Sequence, residues 1–371
     1  MEDMNEQPAV LNRIADYYDT AEGAALLKKC RPSAEPMKPS AIIFSGMGSS
    51  YAASKLACAY LWSHGMPAMA VEASDLLHYG QKLITAGTML VLISQSGESA
   101  EIVQLLQLLQ QLPEGPRVIG ITNETGSTLG AAADVTLPLL AGEESTTSSK
   151  TYIASLAVTL LVCGAMIDAP LSKSLASIME ESRKLTELPG ALKAMNWNEI
   201  AGWLQKSSAI YLIGRGPAVA STLQGALTFK ELVKVQAEPM EAAQFRHGPL
   251  ETVDERTLLI VFASEGATRH LMHAFVPELI DCGARVILIE NGGMRVAGKT
   301  EPGQGSGPEK EPSESHVGAV VGKALGASSG QDEFFSVLAD IYPVQLMAHV
   351  LAERLGTSGA FKWITKVTRK E

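Results

Sequence analysis

AIIFSG (41–46), MLVLIS (89–94) and RVIGIT (117–122) are short apolar, β-rich runs, and a helical stretch separates each from the next. Strand, helix, strand in alternation is the pattern of a parallel sheet covered by helices. The pattern then recurs as IYLIGRG (210–216), TLLIVFAS (257–264) and RVILIE (285–290). The offset between the copies is nearly constant. Gly46 matches Gly214 (214 − 46 = 168), Gly97 matches Gly266 (266 − 97 = 169), and Arg117 matches Arg285 (285 − 117 = 168). Asn123 and Asn291 follow the third run of each half, again 168 apart (291 − 123 = 168). The expectation is two copies of one α/β domain, at 40–170 and 201–355. A helical arm at 1–39 precedes them, a helical linker at 171–200 joins them, and a tail at 356–371 follows. Each domain is expected to be a three-layer αβα sheet of flavodoxin-like form. Residues 300–315, TEPGQGSGPEKEPSES, break the repeat and read as an exposed insert without a catalytic role.

Composition narrows the function classes. The 371 residues suit two domains, and with 46% hydrophobic and 19% charged residues the chain is not disordered as a whole. The net charge is 30 − 40 = −10, which argues against coating a nucleic acid. The longest nearly apolar run, 153–167, is 15 residues, too short for a bilayer, and reads as a buried helix. The start, MEDMNEQP, is acidic where a signal peptide is basic and then apolar, so the expected location is the cytoplasm. Cys30, Cys58, Cys163 and Cys282 form no CxxC pair, and the seven histidines form no HExxH tract. His270 and His273 could share a helix face, where a solvated pair is expected and not a metal site.

In an open parallel sheet, ligands bind beyond the carboxyl ends of the strands. After the first run comes Gly46-Met47-Gly48-Ser49-Ser50-Tyr51, and after the second Ser94-Gln95-Ser96-Gly97-Glu98-Ser99, each leading into a helix. Glycines permit close backbone approach, and a helix start presents N–H groups and a positive dipole end. One such turn could be only an N-cap. Two hydroxyl-rich turns side by side read as a phosphate cradle without Lys or Arg. The second half has Gly214-Arg215-Gly216-Pro217 and Ala263-Ser264-Glu265-Gly266 in their place, so the hydroxyl cluster is lost there. Neither turn is GxGxxG or GxxxxGK[ST], which disfavours a dinucleotide or P-loop site. Farther on, Gln224, Thr228 and Glu231 are spaced i, i+4, i+7 and read as one polar stripe on an apolar helix, for which a solvated face is the plain alternative.

SGMGSSY, SQSGES, ITNETGSTL, the segment ending Thr147-Ser148-Ser149-Lys150, and QGALTFKE with FRHGPLETV resemble the sugar isomerase (SIS) domain family. The resemblance runs in order from about residue 40 to the end and is nearest to the double-SIS isomerase half of the glutamine–fructose-6-phosphate aminotransferases. It implies phosphate ligands at Ser49, Ser50, Ser94, Gln95, Ser96 and Ser99, and sugar contacts at Ser148 and Thr365. It implies an enolisation base at Glu231, a ring-opening histidine at His247 reaching a neighbouring subunit, and a Schiff-base lysine at Lys366, on a tail lying over the site. It further implies a homodimer with shared sites and a sugar-phosphate ligand, and it calls for no metal or nucleotide. With the charge and run-length readings above, the expectation is no cofactor, no nucleic-acid partner and no membrane partner.

Thr228 stands where the family has a lysine. The sequence begins Met-Glu-Asp with its first cysteine at position 30, so the expectation is that no glutaminase domain, with its N-terminal nucleophilic cysteine, supplies ammonia within this chain. The expected activity is that of a phosphosugar isomerase or amino-sugar-phosphate deaminase. Isomerising deamination, deglycation of a glycated amine and aldose–ketose isomerisation all stay open. The alternative from another class is a sugar-phosphate sensor that binds without chemistry; the set Glu231, His247 and Lys366 favours the enzyme.

Overall fold

The computed structural model describes residues 1–32, 39–145, 147–193, 195–297, 332–357 and 361–363. The chain divides into two compact units, Met1–Thr186 with Gly359–Glu371, and Glu187–Ser358.

The first unit opens with three helices, α1 (Glu2–Asn5), α2 (Gln7–Asp19) and α3 (Ala21–Lys29). Its α/β part runs β1 (Ala41–Gly46), α4 (Ser49–Ser63), β2 (Met69–Glu72), α5 (Ala73–His78), β3 (Thr88–Ile93), α6 (Ala100–Leu109), β4 (Arg117–Thr122), α7 (Thr128–Ala132), β5 (Val135–Pro138) and α8 (Lys150–Met166). The five strands lie in the order β2-β1-β3-β4-β5, all parallel, which is the flavodoxin-like winding. β3 is buried along its whole length because helices cover both sheet faces, and so TMLVLI has no polar alternation. α6 buries Ile102, Leu105, Leu106 and Leu109, the i, i+3, i+4, i+7 stripe of a one-sided helix, against Leu90 and Leu92 of the sheet. Each such side chain contributes about 1.5–3 kcal/mol of burial. α8 is buried on nearly every side, so the apolar run 153–167 is a core helix.

A long helix, α9 (Leu171–Leu192), leads from the first unit into the second, which continues with α10 (Trp197–Lys206). Then come β6 (Ala209–Gly214), α11 (Ala218–Thr228), β7 (Glu238–Glu241), α12 (Ala242–Phe245), β8 (Thr257–Phe262), α13 (Arg269–Asp281), β9 (Arg285–Glu290), β10 (Gly293–Ala297) and α14 (Glu333–Arg354). The strand order, β10-β9-β8-β6-β7, repeats that of the first unit. One edge differs. β10 pairs antiparallel with β9, although the repeat called for a wholly parallel sheet. The cause is local: Asn291 and Gly292 both take positive φ, 49° and 76°, which makes a two-residue hairpin turn of the Asn-Gly type. α14 is long and apolar enough to cross a bilayer, but 89% of its apolar window is buried inside the protein, as befits a core helix. The insert at 300–315 lies outside the described residues.

Candidate functional site

The serine-rich turns of the first unit sit where the winding reverses, at the carboxyl ends of the neighbouring strands β1 and β3. β1 ends at Gly46 because nothing larger fits. A Cβ there would lie 2.7 Å from the Ile93 carbonyl oxygen and 2.6 Å from Ser50 Cβ. Gly48, at φ 53° and ψ −120°, then reverses the chain into α4, and no side chain caps that helix start. Ser49 and Ser50 are its first residues, both half-buried.

The second turn is braced from within. Ser94 N donates to Ile121 O at 3.0 Å, carrying the sheet one residue past β3. Gly97 N donates to Ser94 Oγ at 3.1 Å, and Ser94 Oγ lies 3.2 Å from Ser99 Oγ. The Gln95 carbonyl accepts from Asn123 N at 3.0 Å and Thr122 Oγ1 at 3.2 Å, tying the turn to the end of β4. Ser96 Oγ accepts from Glu98 N at 3.2 Å, which leaves its own hydroxyl proton for another acceptor. Ser99 is the N-cap residue of α6, with no side-chain cap bond. A carboxylate in an anion cradle would be repulsive, but Glu98 is committed elsewhere. Its two oxygens accept from Thr128 N at 2.6 Å and Thr128 Oγ1 at 3.0 Å, so it caps α7.

Ser148 belongs to a loop whose anchors gave no sequence signal. Ser148 Oγ lies 2.9 Å from Thr151 Oγ1. The buried Glu144 accepts from Ser149 N at 2.7 Å and Thr151 N at 3.2 Å, and so caps α8 through its side chain. Asn123 holds the loop's far end, accepting from Ala141 N at 2.9 Å and donating to Gly142 O at 3.1 Å. Lys150, 3% exposed, reaches Asp3 at 3.1 Å and Glu6 at 2.8 Å, and Asp3 also accepts from Ser145 Oγ at 2.8 Å. The N-terminal arm therefore clamps the loop that carries Ser148.

Burial works to raise the Asp3 carboxyl, but hydrogen bonds from Ser145 and Lys150 outweigh it and hold the group below its ordinary range. Burial likewise lowers Lys150, and its bonds to Glu6 and Asp3 outweigh that and raise it. A lowered acid stabilises above its ordinary pKa and loses the effect as pH falls through the lowered value. A raised lysine stabilises below its ordinary pKa and loses the effect as pH rises through the raised value. The clamp should therefore hold between the acidic titration of Asp3 and the alkaline titration of Lys150. Lys150→Met leaves two carboxylates unpaired and should cost about 2 kcal/mol in denaturant melts at pH 7, tempered because Glu6 is half-exposed. The gap from wild type should narrow as pH falls through the lowered titration of Asp3.

In the second unit Gln224 and Thr228 keep their helical spacing, and Glu231 leaves it. α11 ends at Thr228, and Phe229–Val233 forms a π-helical turn closed by Lys234 in the left-handed region at φ 62°. Wider winding moves Glu231 off the straight i, i+7 line, and such turns recur at functional sites. The stripe is no solvated face, since Gln224 is fully buried and Thr228 is 2% exposed. Thr228 Oγ1 donates to Gln224 O at 2.9 Å, so the residue in place of the family lysine is satisfied inside the helix. Glu231 is half-buried, and Lys234 Nζ donates to its carbonyl at 2.5 Å. His247 is exposed, in the loop between α12 and a 3₁₀ turn at Pro249–Thr252, with Gly248 at φ 144°. Arg246 anchors that loop by pairing with Glu278 at 2.8 Å and lying 4.1 Å over the Phe275 ring. His273 is more than a solvated residue, because its Nε2 lies 2.6 Å from Glu290 Oε1. Among the described residues no group of three His, Cys, Asp or Glu side chains could hold a metal. Thr365 and Lys366 lie outside the described residues. The first unit thus gathers the serine turns at one sheet edge, and the second unit holds Glu231 and His247.

The SIS domain family matches residues 37–166 and 203–297, more than half the chain, and the chain belongs to that family. A glutamine–fructose-6-phosphate aminotransferase (isomerizing) of Staphylococcus aureus is 30% identical over 81% of this chain and 50% of its own length. The chain thus spans about half the length of the curated relatives it matches. Among solved structures, tagatose-6-phosphate ketose/aldose isomerase from Escherichia coli superposes with a TM-score of 0.75 at 21% identity, over 98% of this chain and 96% of that one. Glucosamine-6-phosphate deaminase from Thermotoga maritima gives 0.69 at 17% identity, over 96% of each chain. These two likenesses establish a shared fold.

Proposed function

We propose that this chain is a phosphosugar isomerase-type enzyme acting on an amino-sugar phosphate or a glycated-amine sugar phosphate. The observation that carries the reading is the pair of serine turns at the carboxyl ends of β1 and β3, with Glu98 turned away to cap α7. Ser49, Ser50, Ser94, Gln95, Ser96 and Ser99 then hold the phosphate, and Ser148 and Thr365 contact the sugar. Glu231 takes the proton from one of the two carbons that exchange the carbonyl and returns it to the other. His247 opens the ring, and its exposure suits a residue that serves a neighbouring subunit of a cytoplasmic homodimer. Lys366 forms the Schiff base with an open-chain ketose. Isomerising deamination, deglycation and aldose–ketose isomerisation share the proton transfer and differ in what leaves.

The test is calorimetric titration with hexose 6-phosphates and amino-sugar 6-phosphates, followed by ammonia-release and isomer assays on those that bind. Turnover of a bound compound supports the enzyme; tight binding of several compounds without turnover identifies a sensor. Within this reading, Ser96→Ala should weaken any sugar phosphate by about 1–3 kcal/mol, the loss of a bond to a charged acceptor. Ser264→Ala, in the second unit, should leave that affinity unchanged.

A further inference from the structure

The second unit carries a turn pair in the same place as the serine cradle, and its space is already taken. The repeat puts Pro217 and Ala218 at the positions of Ser49 and Ser50 (217 − 49 = 168). It puts Ser264, Glu265 and Thr268 at those of Gln95, Ser96 and Ser99 (264 − 95 = 169). All five line one residual cavity of about 20 Å³. That is room for a single water and not for a phosphate.

What fills the rest comes from α14. Asp340, 1% exposed, accepts from Ser264 Oγ at 2.6 Å and from Ser336 Oγ at 3.2 Å through one oxygen. Its other oxygen accepts from Gly292 N at 2.7 Å. Ser264 Oγ itself accepts from Asn291 N at 2.9 Å, so its single proton is directed at Asp340. Glu333 accepts from Ala267 N at 2.9 Å, the backbone of the same turn. The turn is moulded around that carboxylate, since a Cβ on Gly266 would lie 2.0 Å from Glu333 Oε2. Arg215 and Arg269 stand in the cavity wall. Ser264 Oγ and a main-chain N–H converge on a buried carboxylate, with a longer contact from Ser336, whose hydroxyl also donates to Glu333 O at 2.9 Å. Arg269 in the wall neutralises Glu265 at 3.3 Å. The two firm donors on Asp340 are those an oxyanion would take.

We infer that the second cradle is an oxyanion-binding site whose resident ligand is the chain's own Asp340 carboxylate, which closes it to outside anions. The inference rests on this geometry, whatever the first cradle binds. Its corollary is that removing the carboxylate opens a site for a small carboxylate or other oxyanion.

The experiment is chemical rescue on the full chain. Asp340→Ala should melt about 5–10 °C below wild type, because Ser264 Oγ and Gly292 N lose their acceptor. Formate should restore roughly half of that loss in a saturable way, as a ligand that binds only the folded state. Chloride at equal ionic strength should restore none, and wild type should not respond to formate. Asp340→Asn fills the same space with an uncharged amide, so it should melt below wild type and ignore formate. Two results would overturn the inference: Asp340→Ala responding to formate no more than wild type, or Asp340→Asn as stable as wild type. If Asp340→Ala does not fold, the Asp340→Asn melt decides between them.

Discussion

Glu231→Gln is expected to cut turnover of an accepted sugar phosphate by about 10²–10⁴ while leaving its binding within a few-fold. The amide keeps the size of the carboxylate but cannot take up a proton. The local frame should survive the change, because the π turn is closed by the main chain and by Lys234, whose ammonium donates to the Glu231 carbonyl. Solvent exchange gives a sharper readout than rate alone. Wild type should wash deuterium into the carbon next to the substrate carbonyl, and the variant should not. A variant that binds poorly but turns over at the wild-type rate would make Glu231 a contact and not a base. Glu231→Asp is a useful second point, since it keeps the base and withdraws it by one methylene; its activity should fall between the two.

The fold was legible in the strands that are buried on both faces. TMLVLI, RVIGIT, TLLIVF and RVILIE lie in sheet centres or beside them, where helices on both sides demand unbroken apolar runs. Edge strands carry less pattern. β2 is only Met69–Glu72 and β7 only Glu238–Glu241, with a proline in the latter, and neither has a fully buried residue. The antiparallel β10 did have a local signal, Asn291-Gly292, which the regularity of the repeat masked.

The site divides the same way. A serine turn between strand and helix is written in consecutive residues, so its place at the strand ends could be read directly. The partners that brace it cannot be. Lys150 meets Glu6 across 144 residues of sequence, and Asp340 meets Ser264 across 76. No local window holds both ends of either contact. The π turn is hidden for a different reason, since ALTFKELV reads as an ordinary helix and its wider winding is not encoded by any single residue type.

Gly97→Ala should abolish most of the phosphate affinity and destabilise the first unit together, because one methyl group has no place to go. Gly97 sits at φ 64°, where an added Cβ carries a penalty of about 1–2 kcal/mol. The Cβ would lie 1.9 Å from Ser127 Oγ and 2.7 Å from Ser127 Cβ. Ser127 cannot step aside cheaply, since its Oγ accepts from Gly130 N at 3.2 Å and caps α7. Nor can the turn back away. Gly97 N is held by Ser94 Oγ at 3.1 Å, and Gly97 O accepts from Leu129 N at 3.1 Å. Overpacking of this kind costs a further 1–3 kcal/mol or so. The strain falls on the bonds that brace Ser94, Ser96 and Ser99 within the turn, so if that turn seats the phosphate, affinity for a hexose 6-phosphate should drop by about 10²-fold or more, equivalent to losing two charge-assisted bonds. Gly126→Ala is the control. It lies one residue from Ser127, with no atom within 4 Å of a built Cβ and no positive φ, so both the melt and the titration should match wild type. If Gly97→Ala bound sugar phosphate as tightly as Gly126→Ala, the turn from Ser94 to Ser99 would not be the phosphate's seat.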